Sequence, residues 1–319
     1  MKRSVLITGA GGFAGKYLCR YLRTLSDELN IAGIDLCDNK AGIYDSFYID
    51  NLQDTGQVKN IIEEVKPRYV IHLAGTFGTG DAQQIFKVNV LSMMSLLDAI
   101  KEHVPDAIFI AAGSAAEYGS IDQKNLPVTE ENPCNPVTPY GLSKYLATTI
   151  SQYYCRVHYL CTMIVRPFQL IGKGVTDRLA PGAFAKRLLE AKQAGTSEIQ
   201  VGNLESSRDF LDVRDAVRAI WMLCENPKPG EIFNLCGGKP VKMSELLNMM
   251  ISAAQMDIRW VTDQSLMRGE ADVSIVYGSM NKIFSHCGWQ PEVPLAQTIK
   301  DMFVETPEQA KARSITKNE

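Results

Sequence analysis

The most informative part of the chain is its beginning, which reads Val5-Leu6-Ile7-Thr8-Gly9-Ala10-Gly11-Gly12-Phe13-Ala14-Gly15. The apolar opening of this run is typical of a buried strand, and residues 16–22 after it have the composition of a helix. Glycines between the two allow a sharp bend and a close approach of a ligand to the backbone. The run therefore predicts strand, turn and helix, with a phosphate group held at the first N–H groups of the helix by Gly9, Gly12, Phe13, Ala14 and Gly15.

A carboxylate follows at the distance that a bound dinucleotide would require. Asp35 ends a second strand-like run, residues 31–35, about twenty residues after Gly15, where an acidic side chain accepts hydrogen bonds from the adenine ribose. Such a carboxylate repels a 2′-phosphate, and no arginine follows closely in residues 36–40, although Lys40 is present. The residues favour NAD(H) as cofactor and leave NADP(H) possible.

The first half of the chain alternates short apolar runs with helix-length amphipathic segments. The runs at 5–7, 31–34, 69–73, 107–111 and 161–165 predict a doubly wound α/β fold with a parallel sheet. After Arg166 and Pro167 the rhythm becomes irregular. We therefore predict a dinucleotide-binding domain over 1–165, rejoined by residues 212–236, and a smaller α/β substrate-binding domain over 166–319.

A second motif carries acid–base chemistry. Tyr140 and Lys144 stand four residues apart, on one face of a helix that Thr138 can cap and Pro139 can begin. A phenol has a pKa near 10, and a lysine one turn away can lower that value. Ser114 ends another buried strand, at the sheet edge where ligands bind in such folds. We predict that Ser114, Tyr140 and Lys144 form the catalytic group.

Composition argues against several other classes of protein. A formal charge of -3 and a pI near 5.9 leave no basic stripe for nucleic acid. No run approaches the roughly 18 apolar residues of a membrane span, so we expect no membrane partner and a cytoplasmic location. Eight cysteines and four histidines show no zinc-ligand spacing, so no metal site is predicted.

Together with His72-Leu73-Ala74-Gly75, Asn89 and Tyr118-Gly119, these motifs resemble the extended short-chain dehydrogenase/reductases, whose cofactor domain has the Rossmann fold. The resemblance implies a homodimer, formed through the helices near residues 89–103 and 140–154. It also implies a set of cofactor contacts beyond the glycine turn and Asp35. Asp50 and Leu52 are expected at the adenine, Lys144 at the nicotinamide ribose, and Pro167 and Phe168 at the nicotinamide. The further expected contacts are Leu73, Ala74 and Gly75, which line the cofactor, and Asn89 and Tyr140.

The branch within this family follows from the residues after Ser114. Sugar dehydratases of the family carry an acidic residue two places after the catalytic hydroxyl, where this chain has Ala116. Ala115 is equally inert, so dehydration is disfavoured and reduction or epimerisation remains. The segments 114–119, 166–172, 177–182 and 201–204 resemble the GDP-4-dehydro-6-deoxy-D-mannose reductases. That likeness implies substrate contacts at Ser114, Glu117, Gln169, Arg178, Val201, Arg208, Arg268 and Glu270.

The resemblance leaves the nucleotide open. It assigns Arg208, and Arg268 with Glu270, to the substrate diphosphate and ribose, since guanidinium groups suit phosphate oxygens. Counted back from Gly278, however, the family's carboxylate falls on Asp272 rather than Glu270. The expected substrate is a nucleotide-linked sugar, with GDP favoured and dTDP possible.

The resemblance implies NAD(P)H-dependent reduction of the C4 ketone of a 4-keto-6-deoxy sugar, most directly GDP-4-dehydro-6-deoxy-D-mannose to GDP-D-rhamnose. The alternatives are a dTDP-4-dehydro-6-deoxyglucose reductase and a nucleotide-sugar 4-epimerase. A non-catalytic dinucleotide-sensing protein is the alternative from another class, because fold alone does not establish function.

Overall fold

The structure is a computed structural model that describes residues 3–26, 28–37, 42–77, 81–266 and 274–304. The chain divides into two compact units. The first consists of Met1–Leu170, Asp209–Pro240 and Ile275–Glu292, and the second of Ile171–Arg208, Val241–Ser274 and Val293–Glu319.

A seven-stranded sheet forms the centre of the first unit. Its strands are β1 Arg3–Thr8, β2 Leu29–Asp35, β3 Ser46–Ile49, β4 Tyr69–His72, β5 Ile108–Ala112, β6 Cys161–Pro167 and β10 Ile232–Leu235. They lie in the order β10-β6-β5-β4-β1-β2-β3, and every neighbouring pair is parallel. This order reverses between β1 and β4, which is the ligand-binding position of a doubly wound sheet. The predicted α/β fold class is confirmed.

Helices cover both faces of this sheet. The longer ones are α1 Phe13–Leu25, α2 Thr55–Val65, α4 Ser92–His103, α5 Pro139–His158 and α7 Val213–Glu225. Shorter ones are α3 Ala82–Phe86 and α9 Asn281–Cys287, with a π-helical turn at Lys87–Leu91 and 3-10 turns at Ala115–Glu117 and Gln123–Asn125. Val5 and Ile7 of β1 pack in the same core cluster as residues of α1 and α7, whereas Leu6 packs with residues of α2 and α4. Burial on both faces explains why β1 is apolar at consecutive positions.

The first unit also includes residues 275–292, which the predicted domain bounds assign to the second domain. The side chain of Trp289 is fully buried, and its Nε1–H donates to the Asp215 carbonyl oxygen of α7 at 3.0 Å. The Glu292 N–H donates to both oxygens of the Asp215 carboxylate at 3.1 Å. These bonds attach residues 275–292 to the helix before β10, a long-range pairing that local periodicity does not encode.

The second unit contains the helices α6 Ala180–Ala194, α8 Met243–Ala253 and α10 Leu295–Phe303, and a parallel pair of strands, β8 Glu198–Val201 and β12 Arg259–Thr262. Gln264–Leu266 forms a 3-10 turn. The short strands β7 Gln169–Ile171, β9 Ser207–Asp212, β11 Pro240–Lys242 and β13 Ile275–Val276 form a separate sheet. Four of the five unit boundaries fall within or directly beside these strands, and the fifth lies between Glu292 and Val293.

Among the helices in the described part of the chain, none has the length and apolar character needed to cross a membrane. Within those same residues, no group of three or more histidine, cysteine or acidic side chains could hold a metal ion.

Candidate active site

The glycine turn after β1 is packed so tightly that side chains would not fit. Gly9 has a φ of +69°, and a Cβ there would lie 2.7 Å from the nitrogen of Ala74, two residues after β4. A Cβ on Gly15 would lie 2.4 Å from the Gly9 carbonyl oxygen. Helix α1 begins at Phe13 with Gly12 as its N-cap, and its first turn carries no acidic side chain. The turn fits a diphosphate, because its glycines leave the backbone N–H groups uncovered by side chains and the positive end of the α1 dipole lies at the turn.

Two side chains support this turn through hydrogen bonds that the sequence does not predict. The Asp35 carboxylate, expected to contact the ribose, accepts the Gly11 N–H and the Leu36 N–H, both at 2.8 Å. Tyr44 donates its hydroxyl to the Ala10 carbonyl oxygen at 2.8 Å and lies 3.2 Å from that of Gly15. Tyr44 stands in a segment with no apolar periodicity, so the sequence offers no signal for this role. Lys40, which bears on the choice between NAD(H) and NADP(H), lies outside the described residues.

The other expected cofactor contacts lie at or just after the carboxyl ends of strands of the sheet. Asp50 follows β3 and donates its N–H to the Asp35 carbonyl oxygen at 3.0 Å, and the side chain of Leu52 is buried in the core. Leu73 and Ala74 follow β4. Pro167 ends β6, and the buried Phe168 after it donates its N–H to the Leu235 carbonyl oxygen at 2.9 Å. Their contacts with a cofactor stay predictions.

The expected catalytic group assembles at the same edge. Helix α5 begins as its sequence predicts, with Pro139 in its first turn and the Thr138 hydroxyl accepting the Gly141 N–H at 3.0 Å. Tyr140 and Lys144 follow on one face of this helix. Ser114 caps the turn Ala115–Glu117, where its Oγ accepts the Ala116 N–H at 3.1 Å, and its hydroxyl hydrogen-bonds the Tyr140 phenol. The structure thus brings Ser114 and Tyr140 together, with Lys144 one turn further along α5.

The acidities at this site differ from the expected ones. Burial raises the pKa of Tyr140, and the hydrogen bond from Ser114 opposes that change only in part. Burial lowers the pKa of Lys144 to about 8, against the opposing charge of Glu117. Lys144 donates its Nζ to the Ala112 carbonyl oxygen at 2.7 Å. Loss of water around the hydroxyl thus moves the Tyr140 pKa in the direction opposite to the one expected from Lys144, and the tuning of the phenol by the lysine stays a prediction.

Asn89 supports the segment between β4 and α3. It lies in the π-helical turn, is buried, and accepts the Thr76 N–H on Oδ1 at 2.8 Å. Its Nδ2 donates to the Thr76 carbonyl oxygen at 2.8 Å and to Ser143 Oγ on α5 at 2.9 Å. A Cβ on Gly75 would lie 3.1 Å from both Asn89 Oδ1 and Lys144 Nζ. Asn89 therefore holds residues 75–76 beside the helix that carries the catalytic group.

Glu117 takes a different place from the expected one. Its side chain is 0% exposed, and its carboxylate accepts hydrogen bonds from three protein donors. These are the Ser114 N–H at 2.8 Å, Thr148 Oγ1 at 2.9 Å and Arg166 Nε at 2.9 Å. The interpretation of Glu117 as a substrate contact is corrected, because a buried carboxylate with these partners presents no surface to a ligand.

The remaining expected substrate contacts are distributed through the chain, and their roles stay predictions. Gln169 is half-buried at the start of β7. In the second unit, Arg178 is exposed just before α6, and the side chain of Val201 is fully buried at the end of β8. Arg208 is half-buried on β9 and donates to the Ser207 carbonyl oxygen at 2.9 Å. Arg268 and Glu270 lie outside the described residues.

Comparison with known proteins places this geometry in a family. A GDP-6-deoxy-D-mannose reductase of Pseudomonas aeruginosa is 28% identical over 305 residues, which is 94% of this chain and 96% of the relative. A GDP-6-deoxy-D-talose 4-dehydrogenase of Aggregatibacter actinomycetemcomitans is 26% identical, over 89% of this chain and 91% of the relative.

A solved structure shares the fold over most of the chain. The Pseudomonas aeruginosa protein RMD, complexed with NADPH, superposes with a TM-score of 0.83 at 26% identity. The match covers 94% of this chain and 98% of that one. The sequence profile of the NAD dependent epimerase/dehydratase family matches residues 5–236, a span that runs from the start of β1 to just past β10. The chain belongs to the NAD dependent epimerase/dehydratase family.

Proposed function

We propose that this protein is an NAD(P)H-dependent reductase of the C4 ketone of a nucleotide-linked 4-keto-6-deoxy sugar, with GDP-4-dehydro-6-deoxy-D-mannose as the favoured substrate and GDP-D-rhamnose as the product. One observation carries the proposal. The Ser114 hydroxyl meets the Tyr140 phenol at the sheet edge that also carries the glycine turn, and the acidic residue of the turn after Ser114, Glu117, is buried and ion-paired. The likeness to a GDP-6-deoxy-D-mannose reductase supports the substrate class.

Each residue of the group has a defined task in this reaction. When bound, the reduced nicotinamide supplies the hydride that adds to sugar C4. Ser114 Oγ accepts the Ala116 N–H, and its single O–H proton, which here bonds the Tyr140 phenol, would turn to the ketone oxygen when the substrate binds. Tyr140 donates a proton to that oxygen as the alcohol forms. Lys144 provides a cation one helical turn away.

The surroundings of Ser114 support reduction over dehydration. The sugar dehydratases that the chain resembles carry an acidic residue two places after the catalytic hydroxyl, where it serves the elimination of water. Ala115 and Ala116 present only methyl groups, and Glu117, the next residue, is bonded to Ser114, Thr148 and Arg166. No residue of this turn is therefore available to remove a proton from the substrate.

We propose NAD(H) as the cofactor, with NADP(H) as the alternative. Asp35 places a carboxylate beside the turn, where it opposes a 2′-phosphate. The similar Pseudomonas aeruginosa structure holds NADPH, which is the reason to test both.

A nucleotide-sugar 4-epimerase is the second candidate, favoured by the family that the chain belongs to. Epimerisation uses the same hydroxyl and phenol but returns the hydride within one cycle. Net consumption of NADH therefore separates a reductase from an epimerase.

The decisive experiment offers GDP- and dTDP-linked 4-keto-6-deoxy sugars to the purified protein, each with NADH or NADPH, and identifies the products by NMR. Reductase function predicts stoichiometric oxidation of the cofactor and a new C4 alcohol. A C4-epimerised sugar without net oxidation would establish the epimerase. Cofactor binding with no product from any donor would instead favour the dinucleotide-sensing protein.

We also propose that the protein is a homodimer through α4 and α5. Large apolar side chains on these helices, and on the π-helical turn that leads into α4, remain exposed in the single chain. They are Leu91, Met94, Leu142, Tyr145, Leu146, Tyr153 and Val157, of which Leu91 is 51% and Tyr153 44% exposed. An exposed apolar surface of this kind marks an interaction site. Light scattering should give twice the mass of the 35.3 kDa chain, and a monomeric mass would refute the dimer.

A further inference from the structure

The strongest feature that the proposed reaction leaves unused is a buried ion pair directly behind Ser114. Glu117 Oε2 lies 2.9 Å from Arg166 Nε, and the two side chains are 0% and 3% exposed. Moving both charges out of water is costly, and well-packed apolar residues often stabilise a fold equally well. Stability alone is therefore a poor explanation for this pair.

The carboxylate joins three elements that carry the site. Oε1 accepts the N–H of Ser114 at the end of β5, while Oε2 accepts Thr148 of α5 and Arg166 of β6. Thr148 follows Tyr140 and Lys144 at four-residue intervals, so it lies on the same face of α5. The bonds of Glu117 thus fix the backbone of Ser114 relative to the helix face that presents Tyr140.

The local packing is shaped around this carboxylate. A Cβ on Gly113 would lie 2.3 Å from Glu117 Oε1, so only glycine leaves space for it. On the other side, the Arg166 guanidinium stacks over the Tyr118 ring at 4.7 Å, and the Tyr118 hydroxyl donates to Asn234 Oδ1 at 2.7 Å. Tyr118 thus fixes the position of the Arg166 guanidinium, and Arg166 fixes that of the Glu117 carboxylate.

We propose that Glu117 is a positioning residue, whose carboxylate keeps the Ser114 hydroxyl in register with Tyr140 through the Ser114 N–H, Thr148 and Arg166. The inference rests on the proposed ketoreductase function of the same site. Displacement of a reacting group by about 1 Å can reduce turnover about a hundredfold. The role therefore predicts an effect on turnover that is separate from folding stability.

Glu117→Gln tests this role with little change of shape. The amide has the same shape, but its NH2 group faces the Arg166 donor and leaves that charge unpaired, so the side chain shifts and its bond to the Ser114 N–H weakens. We expect kcat to fall about tenfold to a hundredfold. The Kd for NADH should stay within about twofold, because Glu117 contacts no residue of the glycine turn. Wild-type kcat in folded Glu117→Gln protein would overturn the proposal.

A double variant separates positioning from stability if the single variant folds poorly. Glu117→Gln combined with Arg166→Met removes the unpaired buried charge, so the melting temperature should recover while kcat stays low. Recovery of kcat together with the melting temperature would show a purely structural role. Asp215→Asn is the matched control, since the buried Asp215 carboxylate also accepts a backbone N–H, that of Glu292 at 3.1 Å, and pairs with an arginine, Arg218 at 3.0 Å, but lies on α7 away from the Ser114 turn. It should leave kcat unchanged.

A measurement independent of turnover keeps this inference distinct from the proposed function. Hydrogen exchange of the Ser114 amide, followed by mass spectrometry of peptides over residues 112–118, should accelerate at least about tenfold in Glu117→Gln. The amides of β5 should not change. If wild-type protein reduces no sugar nucleotide, the proposed function fails, yet faster Ser114 exchange still supports the positioning role. Unchanged Ser114 exchange overturns that role whatever the activity.

Discussion

The glycine turn after β1 and the Ser114 turn after β5 lie at the same edge of the sheet but are held in different ways. Close backbone packing, the Tyr44 hydroxyl and the half-buried Asp35 carboxylate support the glycine turn. The Ser114 turn rests instead on the buried Glu117–Arg166 ion pair. The difference indicates that a phosphate site needs backbone N–H groups that no side chain covers, whereas a reacting hydroxyl needs neighbours that fix its orientation. Substitutions at the glycine turn should therefore act on cofactor binding, and those around Ser114 on turnover.

Tyr140→Phe should have the largest effect, and this effect should be confined to turnover. Removal of the general acid is expected to lower kcat by about 10² to 10⁴, since proton transfer contributes on that order. Stopped-flow kinetics with the keto sugar and fluorescence titration with NADH measure the two quantities separately. The NADH affinity should change little. Unchanged turnover would contradict the assignment of Tyr140 as the proton donor.

Gly15→Ala should act in the opposite way, on cofactor affinity. Its Cβ would meet the Gly9 carbonyl oxygen at 2.4 Å, so the turn must move. We expect the Kd for NADH to rise on the order of tenfold to a hundredfold, or about 1.4 to 2.8 kcal/mol. Gly56→Ala is the control, because a Cβ on this residue of α2 makes only an ordinary contact of 3.4 Å with Asp54. Equal affinities for all three proteins would contradict the close-packed turn.

The pH dependence should reveal the buried Lys144. Because burial lowers the pKa of Lys144 to about 8, kcat/KM for reduction should be level below pH 8 and fall about tenfold per unit above it. Deprotonation of Lys144 does not lower kcat/KM by unfolding the protein. Between pH 8 and the ordinary lysine pKa of 10.5, Lys144 is deprotonated in the folded protein but still protonated in the unfolded one. Through this group, folding therefore becomes more favourable as the pH rises.

A matched substitution tests the origin of this pH dependence. Lys144→Arg retains its charge at high pH and should lose the fall at 8, at a lower rate overall. Persistence of the fall in Lys144→Arg would assign it to another group.

Tyr44→Phe should have the smallest effect. Loss of the hydroxyl that holds the Ala10 carbonyl oxygen is expected to cost about 0.5 to 1.5 kcal/mol, or about twofold to tenfold in the Kd for NADH. Tyr48→Phe is the control, since its hydroxyl bonds Glu64 on the surface at 2.8 Å. Isothermal titration of both variants checks the difference, and a lower kcat in Tyr44→Phe at saturating NADH would challenge the division between the two turns.

Local patterns allowed much of the first unit to be predicted from the sequence. The strand, turn and helix at residues 5–22 and the cap at Thr138 depend on neighbouring residues, and the structure agrees with both. The burial of Glu117 depends on Arg166, 49 residues away, and the return of Trp289 on Asp215, 74 residues away. Such long-range pairs, like the direction of the Tyr140 pKa shift, depend on packing that no local spacing encodes.

The assembly of the first unit from three pieces of chain has a consequence for how the protein is made. β6 needs β10 as its outer neighbour, and α7 needs Trp289, so a fragment ending at residue 170 would expose an unpaired sheet edge. On the ribosome, the sheet and its covering helices are complete only after residue 292 has emerged. The cofactor-binding half is therefore among the last parts to finish folding, although its glycine turn is among the first to be synthesised.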